Sequence, residues 1–144
     1  MQRYEEYAKL LVEVGVNIQK GQNLIIDAPV DCAWFARLCA KAAYGAGCRE
    51  VIMKWNDDAL TREKFLRAEP DVFDTLPKWL AEFMNGYAGE GAAFLRISAS
   101  DPENMAGVDP DRLTRAQRAS GEALKPYREA TMSSAIPWCI ASIP

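Results

Sequence analysis

Carboxylates at the ends of short apolar runs are the residues here best placed to do chemistry. Leu24-Ile25-Ile26 leads into Asp27, Val51 to Trp55 into Asn56-Asp57-Asp58, and Ala92 to Ser98 into Asp101. If these runs are parallel strands, their carboxyl ends share one rim, together with the region of Ser142, and open parallel sheets bind ligands at that rim. Two acidic clusters there could hold a magnesium ion, as in phosphoryl-transfer and receiver-type domains. The local alternative is that Asp31 and Asp58 cap helices while Asp27 and Asp57 face water, because aspartate favours a helix start on its own account. A receiver-type site also needs an aspartate at the end of the third strand, where Ser98-Ala99-Ser100 stands instead.

Other chemistries are narrowed by what the chain contains. It has no histidine, so there is no Ser-His or Cys-His nucleophile pair and no imidazole metal ligand. Cys32, Cys39, Cys48 and Cys139 form no Cys-x-x-Cys pair, which favours buried free thiols in a reducing cytoplasm over zinc or a redox motif. No Gly-x-Gly-x-x-Gly follows a strand and no Gly-Lys-Ser/Thr occurs. Gly45-Ala46-Gly47 and Gly89-Glu90-Gly91 precede strands and read as helix-to-strand turns. Arg96 lies inside the apolar run Phe94-Leu95-Arg96-Ile97, where a charge must find a partner or reach solvent. It is a candidate anion contact, with an internal ion pair or an edge position as the plainer reading. Trp55 and Trp138 border strands. Arg96 and Trp138 are the candidates for lining a cavity, although large aromatics more often serve a core or interface.

The elements that must position these residues follow from periodicity. Residues 2–14 read as a helix, with Tyr4, Tyr7, Ala8, Leu11 and Val14 on one side and Gly15 as a left-handed terminator. Strand 24–26, loop 28–31, a helix over 32–44 that starts at Asp31 and buries Phe35, Leu38, Cys39 and Ala42, and strand 51–55 make a βαβ unit. A helix after Asn56-Asp57-Asp58 uses Leu60, Phe65 and Leu66 and stops at Pro70. Another runs from the Asp74-to-Pro77 segment to Tyr87 on Leu80, Phe83, Met84 and Tyr87. Ser100-Asp101-Pro102-Glu103 begins a short turn. Asp109-Pro110 opens a longer helix, weakened past residue 120 by Gly121 and Pro126. The last strand is 136–141, and Pro137 puts it at an edge or at its own start. Alternating β and α elements predict one α/β domain over residues 1–144: a mostly parallel sheet of about four strands with helices on both faces.

Length and charge agree with that architecture. A chain of 144 residues should bury about 70% of the surface exposed when unfolded. A net charge of −3 gives no footprint for nucleic acid. No apolar run approaches the roughly 20 residues of a membrane span, and the first residues lack a secretory apolar core. The strand-like Trp138-Cys139-Ile140-Ala141 near the end needs a neighbour, so chemistry is expected on a continuation of the chain.

Several stretches in order carry a resemblance. They are Leu11 to Gln22 running into Leu24-Ile25-Ile26-Asp27-Ala28-Pro29; Phe35-Ala36-Arg37-Leu38 with Ala42-Ala43-Tyr44 and Glu50-Val51-Ile52; Gly91 to Ile97 with Asp101-Pro102-Glu103; Gly107-Val108-Asp109-Pro110; and Trp138-Cys139-Ile140. Together they resemble the N-terminal domain of the thermophilic metallo-aminopeptidases, the aminopeptidase T and aminopeptidase S-like enzymes. Pro137 departs from the pattern. The resemblance implies a longer two-domain exopeptidase that removes N-terminal residues from peptides with paired divalent metals, cobalt or zinc. Its glutamate, histidine and aspartate ligands belong to a C-terminal domain absent from this chain, so no catalytic, cofactor or metal residue carries over. The N-terminal domain of such enzymes helps enclose the active-site cavity and contributes to a homodimer. This chain alone is then expected to be inactive and cytoplasmic, with no nucleic-acid or membrane partner. The alternatives are a stand-alone α/β small-ligand or Mg-binding domain and a dimerisation module.

Overall fold

In a computed structural model, which describes residues 2–99, 101 and 103–143, four parallel strands form one sheet in the order β2-β1-β3-β4. The strands are β1 (Leu24–Pro29), β2 (Val51–Asn56), β3 (Ala93–Ser98) and β4 (Trp138–Ser142). The helices are α1 (Gln2–Leu10), α2 (Ala33–Gly45), α3 (Asp58–Arg67), α4 (Lys78–Gly89), α5 (Pro110–Ala123) and α6 (Lys125–Met132). The predicted α/β architecture, with helices on both faces, is the one found.

Period-two alternation sorts each strand's side chains between the faces. Leu24, Ile26 and Ala28 of β1, Ala93, Leu95 and Ile97 of β3, and Ala141 of β4 pack with Phe35, Ala36, Cys39 and Ala43 of α2 and with Ala8 of α1. Tyr4 and Tyr7 of α1 meet Phe35 ring to ring, at 6.3 and 5.6 Å. On the other face Ile25 and Phe94 pack with Met84 and Ala88 of α4, and Leu124 and Tyr127 close over them. A third region joins by polar bonds. The rings of Phe65 and Phe73 stack at 4.9 Å, and the Arg112 guanidinium lies 5.1 Å from the Phe73 ring centre. Arg112 also donates to the carbonyls of Ala68, at 2.6 Å, and Phe65, at 3.3 Å.

Several local expectations are corrected. α1 continues as one π-helical turn over Leu11–Gly15. Gly15 is not left-handed there; Asn17 is, with φ 47°. The glycine instead permits close packing, because a Cβ on it would lie 3.0 Å from Cys139 Sγ. β1 extends to Pro29 rather than ending at Ile26, so Ala28 and Pro29 belong to the strand. Asp31 falls inside a 3₁₀ turn (Val30–Cys32) and does not cap α2. Asp57, not Asp58, caps α3, accepting a 3.0 Å bond from the Ala59 N–H. Leu60 and Leu66 face solvent, and α3 buries none of its residues. Pro70 opens a 3₁₀ turn (Pro70–Asp74). α5 passes through Gly121 to Ala123, and Pro126 sits in the first turn of α6, where its missing N–H costs nothing. Asp109 caps α5 as expected, accepting from Asp111 N–H at 2.9 Å. Pro137 precedes β4, which is an edge strand, and its carbonyl accepts from Phe94 N–H at 3.0 Å. The turn expected at Ser100 and Pro102 lies partly outside the described residues.

Candidate functional site

The strand order sets the site. The chain leaves β1 for β2 on one side and returns to β3 on the other, so the order reverses between β1 and β3. Doubly wound sheets bind ligands in the crevice at such a reversal, near the carboxyl ends of the strands. The register puts Asp27 of β1 opposite Lys54 of β2 and opposite Arg96 of β3, with Ile140 of β4 next in the row. Asp27, Lys54 and Arg96 lie in the later half of their strands and Ile140 at the middle of its own, and all four face the α4/α6 side.

A cavity of about 490 Å³ opens over this row. Lys54 Nζ donates to Asp27 Oδ2 at 3.2 Å, and Asn56 Nδ2 donates to Asp27 Oδ1 at 3.0 Å. Arg96, on an inner strand, is neither ion-paired nor at an edge among the described residues. It reaches solvent because the cavity lies open above it. Trp138 lines the same cavity, and its indole N–H donates to the Thr131 carbonyl at 2.9 Å, tying β4 to α6. Tyr127 forms part of the wall, its ring edge-on to Phe94 at 4.9 Å. Asn85 of α4 positions it: Asn85 Nδ2 donates to the Ala123 carbonyl at 2.9 Å, and the Tyr127 N–H donates to Asn85 Oδ1 at 3.1 Å. Burial pushes the Tyr127 phenol above its ordinary pKa, Asp27 adds to that, and Arg96 opposes it.

The two sequence candidates, Arg96 and Trp138, therefore share one cavity, which also takes in Asp27 and Lys54. Lys54 was missed although it carried the same signal as Arg96, a cation inside an apolar strand run. Tyr127 and Asn85 gave no such signal, since their place depends on where α6 meets α4.

The acidic rim considered for magnesium is dispersed. Asp27 is committed to Lys54 and Asn56, Asp57 to the α3 cap, and Asp101 Oδ1 accepts from Glu103 N–H at 2.9 Å. Among the described residues no three His, Cys, Asp or Glu side chains gather where they could hold a metal ion. The four cysteines are unpaired, and only Cys139 is more than slightly exposed. Burial raises all four thiol pKa values, that of Cys39 to about 12, so they stay protonated at neutral pH. These residues do not fit a metal centre.

Fold and cavity together define a doubly wound α/β domain with a ligand-sized cleft over the middle of its sheet, on the face shared with α4 and α6. The family model described as thermophilic metalloprotease (M29) matches residues 1–144, and the chain belongs to that family. It is 42% identical over 140 residues to aminopeptidase 2 of Geobacillus stearothermophilus, covering 97% of this chain and 34% of that one. It is 37% identical to aminopeptidase AmpS of Bacillus subtilis, with 96% and 34% covered. The solved structure of wild-type AmpT from Thermus thermophilus superposes with a TM-score of 0.91 at 36% identity, over 99% of this chain and 36% of that one. The chain thus spans about a third of the length of the curated relatives it matches. Among the described residues, no helix is long and apolar enough to cross a membrane.

Proposed function

We propose that this chain is the N-terminal scaffold domain of a metal-dependent aminopeptidase that removes N-terminal residues from peptides. One observation carries the reading: relatives called aminopeptidases match the chain nearly end to end, yet it spans only a third of each. The divalent metals, cobalt or zinc, are held by ligands in the two thirds of the family's length that this chain does not span. Two such ions activate water and clamp the tetrahedral intermediate of peptide hydrolysis. The present residues supply a wall of the substrate cavity, with Arg96 and Trp138 on it, and a surface for a homodimer. Peptides are the substrates, and the cytoplasm is the compartment.

The test is release of p-nitroaniline from leucine p-nitroanilide by the folded chain, with and without cobalt or zinc. The reading predicts none above buffer. Metal-dependent release would place a working centre among these residues and overturn it.

A further inference from the structure

The cleft over the middle of the sheet has a chemistry of its own. Its volume, about 490 Å³, falls in the ~300–1,000 Å³ range of small-ligand sites. Three cations, Lys54, Arg96 and Arg128, and one carboxylate, Asp27, line it. Its local sign is therefore opposite to the chain's net charge of −3. Lys54 is committed to Asp27 at 3.2 Å, and Arg128 donates to the Gly121 carbonyl at 3.2 Å. Arg96 makes no ion pair or hydrogen bond among the described residues, so its planar fork of donors is open to a ligand. That fork matches a carboxylate through two parallel bonds. Ile140 pairs with Arg96 across β3 and β4, and Phe94, Leu124 and Trp138 line the same cleft, so apolar surface is offered to whatever adjoins the carboxylate. Asp27, the one lining carboxylate, is already paired with Lys54, so a free ammonium would meet an excess of positive charge in the cleft.

We propose that this cleft binds the free carboxylate of a small N-blocked acid or peptide C-terminus with an apolar last residue, with the Arg96 guanidinium as its counter-ion. This chemistry belongs to the cleft alone and does not depend on the aminopeptidase reading.

The probes are N-acetyl-leucine, its neutral amide and free leucine, titrated into the 144-residue chain and followed by NMR at the Arg96 and Trp138 side chains. Saturable shifts with N-acetyl-leucine are expected. Binding of the amide and of free leucine should be about tenfold weaker or more, as loss of a charge-assisted pair implies. Arg96→Gln should lose the acid's binding to a similar extent, and Arg96→Lys should recover part of it. The proposal is overturned if the acid gives no saturable shift, if acid and amide or acid and leucine bind alike, or if a folded Arg96→Gln chain binds undiminished. Should Arg96→Gln fail to fold, the comparison of acid with amide in the unmodified chain decides. Hydrolysis plays no part in this readout, so a failure here and a failure of the aminopeptidase reading are separately visible.

Discussion

On the side of the sheet covered by α1 and α2, every strand residue facing the helices is apolar, from Leu24, Ile26 and Ala28 to Cys139 and Ala141. On the side under α4 and α6 the chemistry changes halfway along the strands. Ile25, Ile52 and Phe94 are covered, but the next row is Lys54, Asp27, Arg96 and Ile140, and it floors an open cleft. The covered face contributes hydrophobic stabilisation in proportion to area removed from water. The half-open face gives up part of that stabilisation: Trp138 and Ile140 remain 49% and 56% exposed. One face fixes the fold, and the other keeps charge and apolar surface available for binding.

The sharpest way to break this contrast is to cut into the covered face. Phe35 is fully buried against α1 and the sheet, so Phe35→Ala should cost about 3–5 kcal/mol in urea unfolding. Alkaline titration should come next in size. The Cys39 thiol has its pKa raised from 9.0 to about 12 by burial. The native state therefore keeps a proton that the unfolded chain gives up, and stability falls as pH rises from about 9 towards 12. Each tenfold difference in proton affinity between the two states is worth ~1.4 kcal/mol, and a Cys39→Ala chain should show a shallower fall in pH-dependent melting. Gly15→Val should cost about 1–3 kcal/mol by overpacking against Cys139, with Cys139→Ala restoring part of the loss in a double-mutant cycle. In the polar region, Arg112→Ala removes two carbonyl bonds and a ring contact and should cost about 1–2 kcal/mol by thermal melting. On the open face, Ile140→Ser should change stability by no more than ~0.5 kcal/mol. An Ile140 effect as large as that of Phe35 would erase the distinction between the faces.

The fold was legible where one local rule decided the outcome. The apolar runs at Leu24 and Val51, the helix buried on Phe35 and Cys39, and the Asp109-Pro110 start each follow from periodicity or capping. Local reasoning failed where neighbours one residue apart compete, as at Asp57 and Asp58. Only Asp57 has the extended backbone of a cap, φ −138° and ψ 114°. It failed also at Leu60 and Leu66, whose spacing with Phe65 matches no single helix face, so only Phe65 finds a partner, in Phe73. Pro29 reads locally as a loop residue, yet at the end of a strand its fixed φ of −64° is compatible with extension. The cleft was legible only in fragments. Arg96 stood out as a charge within an apolar run, but its place opposite Asp27, and that of Asp27 opposite Lys54, requires the strand order, which no local pattern encodes.

Under the proposed function these residues hold no catalytic metal by themselves, and among the described residues no three His, Cys, Asp or Glu side chains gather where they could hold one. Equilibrium dialysis of the folded chain against cobalt tests this most directly. No site that fills at micromolar cobalt is expected. One or two ions bound tightly per chain would contradict it and return the catalytic centre to these carboxylates.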